Sequence, residues 1–354
     1  MAASSQPVLP GRVLRSPGGA VALRVEPRPF WVGCALVVLL LALAVVGVGT
    51  GEYPLSPAEV VRTLLGGGDR SSEFIVETLR LPRVLCAVLV GGALGLAGAI
   101  FQSLTRNPLG SPDVVGFTSG SAAGAVAVIT LIGAGGGAGP SIGAVAGGLL
   151  TAALVLALAY RHGIQGYRLV LVGIGVGLLL RAITDWLLTR ARYEDAQSAV
   201  VWIIGSLNGR GWEQVRPLAL ALALLVPLAL LLGRTLRALE LGDDAAQALG
   251  APVERGRIAL VVVGVALTAV ATAAAGPIAF VALTAPQVAR RLTRASGPGL
   301  LPALLMGAVL LVASDCAAQR IWPEQGLPVG VVTGVLGGVY LSWLLASEWR
   351  RRSG

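Results

Sequence analysis

The sequence predicts an all-α polytopic membrane protein of about ten transmembrane helices with both termini in the cytoplasm. Three observations predict it. Hydrophobic residues make up 55% of 354 and only 13% are charged, far from a soluble domain's balance. Several stretches carry no charge over the roughly 20 residues that cross a hydrocarbon core of about 30 Å. Arginines also gather in alternate connecting segments, as positive-inside orientation requires.

The first 28 residues place Arg12, Arg15, Arg24 and Arg28 among Pro, Gly and Ser, and read as a disordered basic cytoplasmic tail. The membrane domain covers 29–347, and 348–354 form a second basic tail. The run 29–51 is too long for a signal peptide's apolar region and is the first span. Uncharged runs at 84–105, 114–160, 217–233, 258–289, 295–314 and 325–347 mark further spans. Glycines and Pro140 near 133–143 split 114–160 into two, and 169–189 is a span that carries Arg181 and Asp185. Those two acidic and basic residues stand four apart and are expected to pair, sharing the cost of burial.

The run 258–289 is long for one helix and short for two, with Gly276-Pro277 near its middle. Charge decides the parity. Two spans place Arg255, Arg257, Arg290, Arg291 and Arg294 all on the cytoplasmic side, and one span does not.

The net charge of +9 is accounted for by this orientation and by anionic lipid, so no nucleic-acid partner is needed. All basic residues are arginine; the chain has no lysine. A GxxxxGK[ST] phosphate loop is therefore impossible, and any ATP must be hydrolysed by a separate chain. Cys34, Cys86 and Cys316 stand singly in or beside apolar runs, and His162 is the lone histidine, so no disulfide framework, catalytic constellation or metal cluster is predicted.

Between the first two spans, Ser56-Pro57-Ala58-Glu59 forms a capping box with Pro at N1, followed by Val60, Val61, Leu64 and Leu65 and a stop at Gly66. It predicts a short amphipathic helix on the outer surface. Arg80 and Arg83 flank Pro82 at the mouth of the second span. That span ends at Arg106-Asn107-Pro108-Leu109-Gly110-Ser111, where proline and glycine forbid helix. Irregular backbone near membrane depth is tolerated only where protein buries it or water reaches it. Gln102, one turn earlier, either faces such a path or hydrogen-bonds a neighbour. On the cytoplasmic side, 234–257 contains Leu241-Gly242-Asp243-Asp244-Ala245-Ala246-Gln247-Ala248-Leu249-Gly250, which reads as a short helix with Asp243 as N-cap and Gly250 at C′.

These motifs, with RLPR at 80–83 preceded by Leu79, RNPLGSPDVVG at 106–116, WIIGSL at 202–207, GPIAFVAL at 276–283 and LPVGVVTG at 327–334, resemble the FecCD family of ABC-importer permeases. The resemblance spans about residues 31–347. It implies a permease subunit that carries ferric siderophores inward by ATP-driven alternating access, with haem or cobalamin as alternative cargo. It implies, further, a homodimer or a heterodimer with a paralogous permease, two ATPase subunits that bind ATP and Mg, an extracytoplasmic solute-binding protein and a place in the bacterial inner membrane. This chain itself would bind no cofactor.

Residue by residue, the resemblance makes Arg80 and Arg83 docking contacts for the solute-binding protein. The family's third docking arginine falls at Gln319 here, leaving Arg320 as the substitute one position on. Gln102, Asn107, Pro108, Leu109, Gly110 and Ser111, with a loop around 163–167, would line the pathway and form its cytoplasmic gate. Leu241 to Ala246, with Leu249 and Gly250, would be the coupling helix. The family has Gly and His where this chain has Ala282 and Gln287. An ion-coupled secondary transporter would need several acids in its spans, and only Asp185 lies within one; an intramembrane enzyme would need a nucleophile and base that the spans lack.

Overall fold

The structure, a computed structural model, describes residues 12–15, 22–25, 27–51, 53–133, 137–160, 166–295, 297–321 and 326–352. Helix α1 (Pro27–Gly49) is the first span. The capping box then closes as its spacing predicts: the Glu59 N–H donates to Ser56 Oγ, and the Ser56 N–H donates to the Glu59 carboxylate at 2.8 Å, opening α2 (Pro57–Leu64). A short α3 (Arg70–Glu73) and a wider-wound π-helical stretch, Phe74–Arg80, run straight into α4 (Leu81–Thr105). Then follow α5 (Phe117–Ile132), α6 (Gly139–Ala159), α7 (Gly166–Arg190) and the shorter α8 (Tyr193–Ile204). The second half holds α9 (Trp212–Leu231), the short α10 (Gly233–Glu240) and α11 (Asp243–Ala248), then α12 (Val253–Ala275), α13 (Val281–Thr293), α14 (Leu300–Ile321) and α15 (Val329–Arg352).

Seven of these helices are long and apolar enough to cross a membrane, and α5 and the 329–343 part of α15 are shorter apolar helices. With α13 they make the ten crossings. Parity follows from contacts. Asp243 reaches Arg257 at the start of α12, and Glu240 reaches Arg290 near the end of α13, so both ends of 258–289 lie on one face. The run fits two passes because α13 covers only about 20 Å and the extended Gly276–Phe280 connection supplies the rest. The Arg28 guanidinium donates to Leu292 O, which puts the start of α1 on that same inner face.

The central strut is α4, buried at every residue from Val90 to Leu104. Side chains cannot intervene where it meets its neighbours. A Cβ on Gly91 or Gly95 would strike the backbone of Gly307 or Ala303 on α14, and one on Gly98 would strike Ala282 O on α13. Close backbone approach through small residues is how helices associate where the surrounding lipid is as apolar as leucine.

Two expectations are corrected, on the N-terminal tail and on Arg181 with Asp185. Part of the N-terminal tail is ordered as a two-stranded antiparallel hairpin, β1 (Arg12–Arg15) with β2 (Ala22–Val25), in register Arg12 to Val25. The C-terminal basic segment continues α15 as far as Arg352, since nothing in its sequence stops a helix. Arg181 and Asp185 are both exposed on α7, and among the described residues no ion pair joins them. Their i, i+4 spacing permits a pair.

Candidate functional site

At the inner end, α4 finishes with Arg106 in the left-handed conformation, φ 50°. Its N–H donates to Ser103 O and the Asn107 N–H to Gln102 O, the two bonds of a Schellman ending with arginine where glycine would be easier. Asn107 Oδ1 then accepts the Leu109 N–H at 2.9 Å, and the Gly110 N–H returns to Asn107 O. These bonds fold 106–110 into a tight loop. Arg106, Asn107, Pro108 and Leu109 are exposed, whereas Gly110 and Ser111 are buried. Gly110 is dictated by space, because a Cβ there would collide with Thr105 Oγ1.

Beyond Ser111 the chain climbs into the bundle before α5 begins. Gly116 sits against Gly173 and Gly177, roughly 10–16 Å up α7 from Gly166. The climb half-buries a carboxylate that sequence reasoning did not single out. Asp113 accepts the Thr118 hydroxyl at 2.5 Å, near the backbone of Phe280 at the break between α12 and α13. The available signal was length: α5, at 16 residues, reaches about 24 Å and cannot cross alone. Phe280 is itself left-handed, φ 68°.

Gln102 is buried and its Nε2 donates to Leu283 O at 2.9 Å, while its Oε1 accepts Nε2 of Gln287 at 2.6 Å. The neighbour-bonding alternative is therefore realised, and the glutamine that stands in for the family's histidine is its partner. One turn on, Arg290 Nη2 donates to Ser103 Oγ at 2.7 Å and to Glu240 Oε1 at 3.3 Å, and Nε of the same guanidinium is buried without a partner among the described residues. Gln102, Ser103, Arg106, Asn107, Pro108, Glu240, Gln287 and Arg290 line one polar cavity of about 280 Å³. Glu240 and Arg290 also escaped the sequence reading, although Glu240 is the lone acid among the arginines at 234–242.

The short cytoplasmic helix forms, with one correction. Gly242, φ 111°, is the N-cap, and Asp243 is the first helical residue with no capping bond. Its carboxylate is taken instead by two guanidinium groups, Arg106 at 2.8 Å and Arg257 at 2.7 Å. Gly250, φ 76°, occupies C′ as expected; the Gly250 N–H bonds Gln247 O and the Ala251 N–H bonds Ala246 O. Ala246 is buried, while Leu241 and Leu249, with Asp244 and Ala245, project from the inner face.

At the outer end the three arginines converge. Arg83 grips Asp315 with Nε at 3.0 Å and Nη2 at 2.8 Å, and Gln319 Nε2 donates to the same carboxylate. Arg80 donates to Val48 O and Tyr53 O beyond the end of α1. Arg320, despite its one-residue displacement, reaches Thr50 Oγ1 at 3.2 Å, so it joins the cluster. Three motifs far apart in sequence also meet here. The Ser206 N–H donates to Ala275 O, the Gly330 N–H donates to Gly205 O, and Gly276 lies against Trp202 O with no room for a Cβ. The loop expected around 163–167 lies outside the described residues except for Gly166 and Tyr167.

Residues 38–347 match the FecCD transport family. The chain belongs to that family. It is 46% identical to the ferric enterobactin transport system permease protein FepG of Escherichia coli K12, over 92% of this chain and 98% of that protein. It is 39% identical to the Fe(3+)-citrate import system permease protein YfmE of Bacillus subtilis 168, over 93% and 98%. An inward-facing structure described as a metal-chelate type ABC transporter superposes with a TM-score of 0.78 at 29% identity, covering 90% of this chain and 99% of that one. This FecCD protein is thus a multi-pass membrane permease.

Proposed function

We propose that this FecCD protein is the permease of a binding-protein-dependent ABC importer that carries ferric siderophores inward across the bacterial cytoplasmic membrane. The observation that carries the reading is the near full-length likeness to the ferric enterobactin permease. A second permease, a copy or a paralogue, would complete the pathway, and two separate ATPase chains would bind ATP and Mg. A chain without lysine has no phosphate-loop lysine of its own, which supports that division of labour.

The inner face suits the role. Leu241 and Leu249 are exposed on either side of the capped helix α11, and apolar side chains held out at the inner face suit a partner's groove. Closure of the ATPases on ATP would push α10 and α11, tilt the bundle and open the loop at 106–111. At the outer face, Arg80, Arg83 and Arg320 would meet acidic residues of the binding protein, steering and orienting it.

Uptake of radio-iron as defined siderophore complexes, in cells lacking this gene and in the same cells with the gene restored, tests the proposal. Restored, energy-dependent uptake for one siderophore class is expected. Unchanged uptake of every ferric complex would remove ferric siderophores as cargo and make haem and cobalamin the next compounds to assay.

A further inference from the structure

The inner network contains a donor with no partner among the described residues. Arg290 lies on α13, between the last turn of α4 and the end of α10. Its Nη2 is shared by Ser103 Oγ at 2.7 Å and a longer contact to Glu240 Oε1 at 3.3 Å. Its Nε is buried and unpartnered among the described residues, beside a polar cavity of about 280 Å³ that the same residues line. A guanidinium holds a carboxylate best by two parallel bonds. Here Glu240 takes one long bond, and the second prong of the fork stands empty.

The alternative pairing is available from these same groups. A small shift of α10 would bring the Glu240 carboxylate across Nε and Nη2 together, filling the empty donor. Nη2 has two N–H bonds; closing the fork would turn the guanidinium into the plane of the carboxylate and swing the second of them off Ser103, and the cavity supplies the space. Ser103 is three residues before Arg106, where the gate loop starts, so that exchange alters the restraint on the loop. The parallel link from Arg106 to Asp243 cannot serve alone, because both partners are about half exposed and water competes for them.

We propose that Arg290 is the positioning residue through which the cytoplasmic segment controls the inner gate, exchanging Ser103 for a two-pronged grip on Glu240 when α10 moves. The inference rests on the ABC-permease reading. It assigns the driving contact to Glu240, outside the capped helix itself, and the response to the end of α4. Gln287, bonded to Gln102 one turn away, keeps α13 in register with α4 while the exchange occurs.

The test uses the complete complex in liposomes, with a Leu109→Cys reporter in a Cys34→Ser background, labelled by a membrane-impermeant thiol reagent with and without ATP. Wild-type Arg290 should give ATP-dependent labelling. Arg290→Lys keeps the charge and loses the fork, and should lower both the ATP response and the iron moved per ATP by roughly tenfold, with hydrolysis continuing. Glu240→Gln should do the same, and the double variant should be no worse than either single one. If Arg290→Lys does not assemble, Ser103→Ala decides: it should label without ATP, because the restraint is already gone. ATP-dependent labelling and transport per ATP that are unaltered in Arg290→Lys, or in Ser103→Ala, would overturn the relay. A wild-type complex that neither transports nor changes its labelling would instead overturn the importer reading beneath it.

Discussion

The two ends of this permease use arginine in opposite ways. At the outer end, Arg83 is clamped to Asp315, whose side chain is only 3% exposed, and Arg80 is fixed to backbone carbonyls of the α1 turn. Asp315 belongs to α14, which packs tightly on α4, and Val48 to α1, which packs on α14. At the inner end, Arg106, Arg257 and Arg290 bridge to Asp243 and Glu240 on the short helices α10 and α11, across a polar cavity. A charge pair between elements already packed together stiffens them; one between elements that share little surface links their motions. The outer cluster is therefore a platform and the inner network a set of connections.

The difference predicts where each substitution will be felt. The largest loss of stability should come from Asp315→Ala, which leaves Arg83 without its buried partner, at about 3–5 kcal/mol. Thermal unfolding of the purified permease measures it. Charge reversal at Arg80 and Arg83 consequently removes structure as well as docking contacts, so reversing the binding protein's acidic residues is the cleaner docking test.

Gly110→Ala should cost about 1–3 kcal/mol, because its methyl group meets Thr105 Oγ1, and should abolish gating. Partial recovery of uptake by adding Thr105→Ala would confirm the cause. Ser56→Ala should remove about 1 kcal/mol by opening the capping box, an effect confined to α2 in hydrogen exchange. The Ser56 backbone and side chain hold the Glu59 carboxyl below its ordinary range. That contribution is complete above the usual carboxylate range and disappears as pH falls through the lowered value. Asp243→Ala should cost less stability than Asp315→Ala, because Arg106 is about half exposed and the buried Arg257 keeps Glu254 at 3.9 Å. Its effect should fall on transport per ATP, the reverse of the balance at Asp315.

Much of this was legible in the sequence, because the governing signals are local. Charge-free runs marked the spans, arginine placement resolved 258–289 into two passes, and the Ser56 box and Gly250 stop were written in adjacent residues. What stayed hidden depends on proximity across the fold. Asp113 looks like an ordinary loop acid until Gly116 is seen against α7. Arg320 looks misdirected on its own helix until Thr50 is found beside it. Asp243 has a capping residue's chemistry, but two arginines from other elements outbid the local backbone. Arg181 and Asp185 have a pairing spacing, yet they stay apart on the side of α7 that this chain leaves uncovered. Long-range partners override local propensity at the gate because three separate chain segments converge there.

Hydrogen exchange on the reconstituted complex, with and without ATP trapped in the ATPase subunits, tests the contrast between the ends most directly. The account predicts altered exchange at 102–111 and 240–250, with 46–51, 80–86 and 315–320 unchanged. Equal change at both ends would contradict it, since the outer arginines would then be moving parts and not a platform.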